Sequence, residues 1–381
     1  MTQLRSKSGT CLKILQIGNY PPPVCGWSIQ TKLLVEEIRR RGNVCGVLNL
    51  SENRRKKSSE YIDVQNILDY VYKVILFAAR GYRFQVHVNG QSTPGYILAL
   101  IAALVGRIAG YPIALSWRGG LQQKYFPRPQ VCGTRRAYQI LFRLSGQISC
   151  NSPLVKHAIE QYGIDPQRVA AIPAFSAQHL EFQRVPLTRE TEAFLHTHSP
   201  VFFCYVSFRA EYRLSVLREA MQRFLKVNAR AGFIWCGFPS KEIPEVSGFV
   251  ANWPQHERQS LLLLGNLGHN EFLTLLSRSL AYVRTPVCDG VSASVLESLA
   301  LGVPVVASEN GDRPAGVVTY GETDAAELCA KLVDVTLRNR EMRQQLKFPP
   351  SENNISRTVD WLLGRQEALH ASQEGTLSHA V

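Results

Sequence analysis

The sequence predicts an α/β protein with two Rossmann-like, doubly wound domains facing a central cleft, and three observations predict it. The chain is 381 residues long, which suits two domains of ordinary size, each with its own core. Apolar runs of strand length alternate with helical patterns almost from end to end, the rhythm of parallel strands covered on both faces. That rhythm breaks at residues 185–200 and then restarts, so the expected domains are 1–190 and 200–366, followed by a polar tail at 367–381.

In the first domain, Leu12 to Ile17 reads as a strand, followed by a Pro/Gly loop and a helix from Ser28 to Arg41. Asn43 to Leu50 is the second strand. A helix over Asp63–Ala79 leads to the strand Phe84–Val88, and a helix over Gly95–Ala109 leads to Pro112–Ser116. A helix at Thr134–Leu144 leads to Gln147–Cys150. Val185 to Pro200 carries Pro and many polar residues and reads as a linker. The second domain opens with the strand Val201–Val206 and a helix over Leu214–Val227, then the strands Phe233–Cys236 and Ser260–Leu264. A helix at Asn270–Ser279, the strand Ala281–Arg284, a helix at Ser294–Ala300 and the strand Pro304–Ala307 complete the pattern.

Hydrophobic residues make up 45% of the chain and charged residues 19%, a folded composition rather than a disordered one. Nine cysteines are scattered, several inside apolar runs such as Val201 to Val206, and none forms a Cys-x-x-Cys pair. Reduced, buried thiols in a cytoplasmic protein are expected, not disulfides or a zinc site. Met1 to Thr10 is polar and does not read as a secretory signal. Gly95 to Ala114 is the most hydrophobic stretch, but Arg107 and the glycines interrupt it, so it reads as a buried helix and a strand and not as a membrane span.

Charge is uneven. Residues 1–200 hold 25 Lys and Arg against 11 Asp and Glu, whereas the remainder holds 18 against 19. A basic half suits nucleic acid, an anionic membrane surface or a phosphorylated substrate. No aromatic platform or finger spacing points to nucleic acid. Arg39 to Arg41 reads as the last turn of a helix, where cations are favoured, and Arg54 to Lys57 as an exposed loop.

In open parallel sheets ligands bind beyond the carboxyl ends of the strands. The first such loop, Gly18 to Ser28, runs into a helix whose free amides would accept a phosphate near Gly26; an ordinary turn and helix start reads it equally well. Three consecutive prolines at 21–23 set it apart from a dinucleotide fingerprint, which disfavours a nucleotide-dependent dehydrogenase. The second loop, Arg284 to Ser308, reads strand, loop, short helix, Gly stop, strand. Asp289 lies in the loop and Glu297 one turn into the helix. The amides of Ser292, Ala293 and Ser294 point from the helix N-terminus, where a diphosphate fits, while a carboxylate in that turn accepts both ribose hydroxyls without a metal. His87 ends an apolar strand and is either a site residue or a satisfied strand-end histidine. His196 and His198 suggest no metal site.

This second loop resembles the hallmark of the retaining glycosyltransferase family 4 (glycosyl transferases group 1), an acid, seven residues, then Glu, followed by Ala-x-Gly-x-Pro-Val-Val-Ala. It stands here as Asp289 and Glu297 with Ala300 to Ala307. The likeness extends to Asn151–Val155, Tyr162–Ile164 and Ala171–Pro173, to Leu264–His269 and Leu275–Ser277, and to Glu309–Pro314, over roughly residues 12–335. It implies the GT-B fold and transfer of a sugar from a nucleotide sugar to a glycan or polyprenyl-pyrophosphate-linked acceptor, with retention, as in bacterial-type surface polysaccharide synthesis. Glu297 would then bind the donor ribose and Asp289 the donor sugar. The backbone of Ser292, Ala293, Ser294 and Val295, with Gly26 and Gly265, would flank the nucleotide. No cofactor or metal is expected beyond the nucleotide-sugar donor itself. Catalysis in this fold is positioning and stabilisation of the leaving diphosphate.

The chain departs from the family at several of these positions. The first acid is Asp, the paired glycines are Cys25-Gly26, and Tyr212 stands where a Lys follows the phosphate-binding Arg209. Arg213 would supply the second charge, with a geometry different from that of Lys. Arg118 replaces a cleft His and stabilises charge but is too basic to take a proton. Two alternatives stay open: a sugar-nucleotide epimerase of the same fold, and a non-catalytic sugar-nucleotide-binding subunit. The basic first half also suits peripheral contact with an anionic membrane at the inner face of the cell, through the helix at 95–109 or the Arg54–Lys57 loop.

Overall fold

The structure, a computed structural model, describes residues 11–22, 24–127, 132–346, 348 and 352–364. The expected tail at 367–381 lies outside the described residues. The chain forms two compact units, Met1–Gln178 with Glu352–Val381, and His179–Ser351.

Unit 1 alternates strands and helices: β1 (Lys13–Gly18), α1 (Gly26–Arg40), β2 (Val44–Asn49), α2 (Ile67–Ala79), β3 (Arg83–Val88), α3 (Thr93–Ile108), β4 (Ala114–Trp117), α4 (Cys132–Leu144), β5 (Gln147–Cys150), α5 (Pro153–Glu160) and β6 (Val169–Ala171). The six strands are parallel, in the order β2-β1-β3-β4-β5-β6. Ile17 pairs with Leu48 on one side and Val86 on the other. Buried on both faces, these strands are mainly apolar, interrupted by the buried polar residues Gln16, Gln85 and Ser116. Tyr70 and Val74 of α2, Ala102 of α3, Phe142 of α4 and Ile159 of α5 share one core cluster. Leu34, Val35 and Ile38 of α1 belong to another, with Ile14 and Val47 of the sheet.

Unit 2 comprises α6 (Arg189–Thr197), β7 (Val201–Tyr205), α7 (Leu214–Val227), β8 (Gly232–Cys236), α8 (Ile243–Ala251), α9 (Gln255–Gln259), β9 (Leu261–Gly265), α10 (His269–Arg278), β10 (Ala281–Arg284), α11 (Ala293–Ala300), β11 (Val305–Ser308), β12 (Val317–Tyr320), α12 (Ala325–Leu337) and α13 (Asn339–Gln345). Its six parallel strands run β12-β11-β10-β7-β8-β9. Two core clusters serve it, one holding Phe224 of α7 with Leu332 of α12, the other Phe272 and Leu276 of α10 with Val295 of α11.

The chain then returns to unit 1 as α14 (Asn354–Leu362), whose Ile355 and Val359 join the α1 cluster. Arg41 Nη1 donates to Asp360 Oδ1 at 2.5 Å, and Arg40 Nε donates to Glu37 Oε2 at 2.7 Å. Two members of the Arg39–Arg41 run are therefore tied into ion pairs, and residues 352–364 pack with unit 1 rather than with the expected second domain. The physical reason is an apolar stripe on α14 that α1 covers.

The expected linker at 185–200 also contains a helix, α6. Thr188 Oγ1 caps it by accepting from the Thr191 amide at 3.2 Å, and Phe194 is buried in the core of unit 2. Its polar residues are the solvent face of a capped turn. The second helix begins at Ile67 instead of Asp63 because Asn66 Oδ1 accepts from the Asp69 amide at 3.0 Å. In each sheet the order of successive strands reverses beside the first strand, between β1 and β3 in unit 1 and between β7 and β10 in unit 2. At such switch points the loops diverge and leave room for a ligand.

Candidate functional site

In unit 2 the switch point is flanked by the loops that follow β7 and β10. β10 is buried along its length and ends in Arg284, only 7% exposed. Arg284 Nε donates to Asp289 Oδ2 at 2.6 Å. Its guanidinium lies over the Tyr205 ring at 5.0 Å and the Tyr212 ring at 5.3 Å. Burial works against this cation, but Asp289 and the neighbouring tyrosines outweigh it and raise its pKa well above the usual value. Tyr212 therefore stacks on a buried arginine, and burial raises its own pKa.

The rest of the loop is pinned by side chains. Asn310 Nδ2 donates to the Asp289 carbonyl at 2.8 Å. Arg313 Nη2 donates to the Pro286 carbonyl at 2.7 Å, and its Nε donates to the Ser308 carbonyl at 2.8 Å. Tyr282 Oη donates to Ser294 Oγ at 2.8 Å. α11 opens at Ala293 with no side-chain cap, so neither Asp289 nor Ser292 closes its N-terminus. The first amides of an α-helix have no partner within it, and here they stand at the carboxyl end of β10. Val295 is fully buried behind them.

Glu297 lies in the second turn of α11 and is 5% exposed. Its Oε1 is 2.9 Å from Nε2 of His269, the first residue of α10. Gly265 ends β9 with φ +62°, and its carbonyl accepts from the Gly237 amide at 2.7 Å. Asp289, Glu297, Ser292, Ala293 and Ser294 thus sit on one strand-loop-helix segment. Arg209 and Arg213 come from the loop after β7, and both are exposed. Arg213 has the left-handed φ of 47° and forms an ion pair with Glu322, so its charge is already answered within the unit.

In unit 1 the corresponding edge holds a buried polar relay. Arg118 follows β4 and is 8% exposed. Its Nε donates to His87 Nδ1 at 3.2 Å, and its Nη1 donates to Gln30 of α1. His87 Nε2 donates to Gln16 Oε1 at 2.8 Å, and Gln16 Nε2 donates to Gln85 Oε1 at 2.7 Å. Gln85 Nε2 continues to Ser116 Oγ at 2.8 Å. The Arg118 guanidinium fixes the His87 tautomer, because a nitrogen that accepts from it carries no proton. Burial, then the Arg118 cation, hold the His87 pKa well below its usual value, and burial lowers that of Arg118 to about 9. Among the described residues no carboxylate pairs with Arg118. A Cβ at Gly18 would lie 2.8 Å from the His87 ring, so the end of β1 accommodates this histidine only with glycine there.

Gly26 is the exposed first residue of α1. The Cys25 amide donates to Ser28 Oγ at 2.9 Å, which satisfies one donor at that N-terminus from within. Among the described residues no group of three His, Cys, Asp or Glu side chains is gathered as a metal site would need.

Several of these residues were not singled out from sequence. His269 sits far from Glu297 along the chain, and only the fold joins them. Gln16 and Gln30 look like ordinary polar positions in a strand and a helix. Arg284 did leave a signal, a charged residue closing an apolar strand.

No protein-family model matches the chain, and no curated protein matches it. Solved structures do. A protein assigned as a UDP-N-acetylglucosamine 2-epimerase from Listeria monocytogenes superposes with a TM-score of 0.66 at 16% identity, over 94% of this chain and 98% of that one. HepE from Anabaena, in complex with UDP-glucose, gives 0.65 at 13% identity over 94% and 99%. A glycosyltransferase from Rickettsia africae gives 0.60 at 14% identity over 95% and 98%. What these share with the chain is two Rossmann-like α/β domains with parallel sheets, the GT-B fold. The likeness extends to epimerases and transferases alike and does not single out glycosyltransferase family 4.

Proposed function

We propose that the chain is an enzyme that binds a nucleoside-diphosphate sugar at the β10–α11 segment of unit 2 and transfers its sugar to an acceptor with retention. The observation that carries this reading is the buried Glu297 carboxylate behind the uncapped N-terminus of α11. The amides there suit a diphosphate, and the carboxylate suits the two ribose hydroxyls. Asp289, fixed by Arg284, would meet the donor sugar, with Arg209 and Gly265 at the rim of the same sheet edge. Departure of the nucleotide would be assisted by charge stabilisation and not by a metal. In unit 1, the Arg118 cation and the α1 N-terminus at Gly26 would hold negative charge on the acceptor. That suits a polyprenyl-pyrophosphate-linked glycan.

Epimerisation of the sugar nucleotide is the second reading, favoured by the TM-score of 0.66 against an epimerase-assigned structure. Moving a substituent at a carbon of the sugar needs a base for a carbon-bound proton. His87, with both ring nitrogens engaged by Arg118 and Gln16, does not offer such a base.

The test is thermal-shift binding of UDP-, GDP-, ADP- and TDP-sugars to wild type and Glu297→Ala, then NMR of the bound donor with and without acceptor. One donor should stabilise the wild type and bind roughly ten- to a hundredfold more weakly to the variant, as loss of a charged hydrogen bond implies. The bound donor should release nucleotide only when an acceptor is present. An epimer formed without acceptor would establish the second reading. No response to any donor would overturn both.

A further inference from the structure

We propose that the outer face of the α2–α3–α4 layer is a docking surface for an anionic lipid bilayer. The three helices are contiguous. Tyr70 Oη of α2 donates to the Leu98 carbonyl of α3 at 2.8 Å, and Tyr96 Oη of α3 donates to the Ala137 carbonyl of α4 at 2.9 Å. Their inner faces bury small or aromatic residues against the sheet, among them Val74, Ala102 and Phe142.

Their outer faces carry large apolar side chains in water. On α2, Leu68 is 77% exposed and Tyr72 63%, with Ile75 one turn on. On α3, Ile108 is 87% exposed, with Ile97 and Leu104 on the same face. The spacing, i, i+4, i+7 on α2 and i, i+7, i+11 on α3, makes each a continuous stripe. Isolated exposed apolar residues are common, but adjacent stripes on touching helices mark an interaction surface.

Charge identifies the occupant. No Asp or Glu occurs between Asp69 and Glu160, whereas eleven Lys and Arg do. Arg80, Arg107, Arg135, Arg136 and Arg143 are exposed at or beside these helices. The acid that borders the patch, Asp69, is held by Lys73 at 2.9 Å. A two-fold pairing of this face with a second copy would set cations against cations. An anionic bilayer offers phosphate to the arginines and acyl chains to Leu68, Tyr72 and Ile108 at once. No helix among the described residues is long and apolar enough to cross a membrane, so the contact is one of surface.

The test is co-sedimentation of the full chain with large vesicles of phosphatidylcholine alone or with added phosphatidylglycerol. Two variants are compared with wild type: Leu68→Gln/Tyr72→Gln/Ile108→Gln, and Arg107→Glu/Arg135→Glu/Arg136→Glu. All six positions are exposed, and an unchanged melting temperature and circular dichroism establish that each variant folds. Wild type should bind only the vesicles containing phosphatidylglycerol, and less at high salt. The charge variant should bind at least a hundredfold more weakly, about fivefold for each positive charge removed, and the apolar variant at least tenfold more weakly. Equal binding by wild type and folded variants would overturn the proposal, as would no binding to either vesicle. A wild-type dimer by light scattering that the apolar variant dissociates would assign the face to self-association instead.

Discussion

Arg118 and His87 illustrate how single residues are set for charge without titrating. Arg118 is buried with an imidazole and an amide as its partners, and neither offsets its charge. Such a cation is costly to bury, but with its pKa lowered only to about 9 the guanidinium remains charged at neutral pH, so it exerts its field on whatever anion approaches. His87 contributes by staying neutral, since both nitrogens are committed and burial with Arg118 depresses its pKa. The consequence for stability has a definite sign. Below the usual histidine pKa of about 6.5, the unfolded chain takes up a proton at this position and the folded chain does not. Stability is therefore full above that pH and falls as pH drops through it. His87→Asn keeps a donor for Gln16 and an acceptor for Arg118 but does not titrate. Urea unfolding of unit 1 at pH 7 and pH 5 should find the acid-induced loss smaller in the variant by about 2 kcal/mol. An identical loss in both proteins would mean that His87 is protonated in the folded state.

At the scale of elements, helix ends and helix faces decide what the sequence could reveal. Leu214–Val227 and Ala281–Arg284 stand in the structure where periodicity placed them, because each has a strong apolar pattern and clear breakers. α6 was legible only as a polar run, since its burial rests on little more than Thr191 and Phe194. α14 posed a different difficulty. Its period is helical, but nothing local says which unit will cover it, and its partners Leu34, Val35 and Ile38 are more than three hundred residues away. The candidate site divides the same way. Asp289 and Glu297 lie on one segment and were readable from spacing, whereas the Arg118–His87–Gln16 relay joins three strands and the Glu297–His269 contact joins two helices. If α14 closes unit 1, Ile355, 2% exposed, is a core residue of that unit. Ile355→Ala should cost about 2–5 kcal/mol, and amide exchange should quicken in α1 but not in α11. Equal quickening in both helices would make the effect global and remove α14 from unit 1 energetically.

For the molecule as a whole, connectivity separates the two units more sharply than length does. Unit 2 is one uninterrupted stretch, His179–Ser351, whereas unit 1 is completed only when the chain returns with Glu352–Val381. Unit 2 has core clusters on both faces of its sheet, built from its own residues between Phe182 and Leu346. A continuous domain with its own core can fold alone. The residues proposed for the nucleotide, Glu297, Asp289, Arg209 and the α11 amides, all lie within that stretch, and so do the groups that fix them, His269, Arg284 and Arg313. Residues 179–351 expressed by themselves should therefore melt in one cooperative transition and bind the same nucleoside diphosphate as the full chain. Residues 1–178 should lack a cooperative transition until 352–381 is joined to them, because the α1 face that meets Ile355 and Val359 is otherwise bare. Calorimetry of the two fragments, with nucleotide titrated into each, checks both expectations. If folded unit 2 did not bind a nucleotide that the full chain binds, Glu297 and the α11 amides would not be sufficient for the diphosphate, and unit 1 would have to supply part of its site.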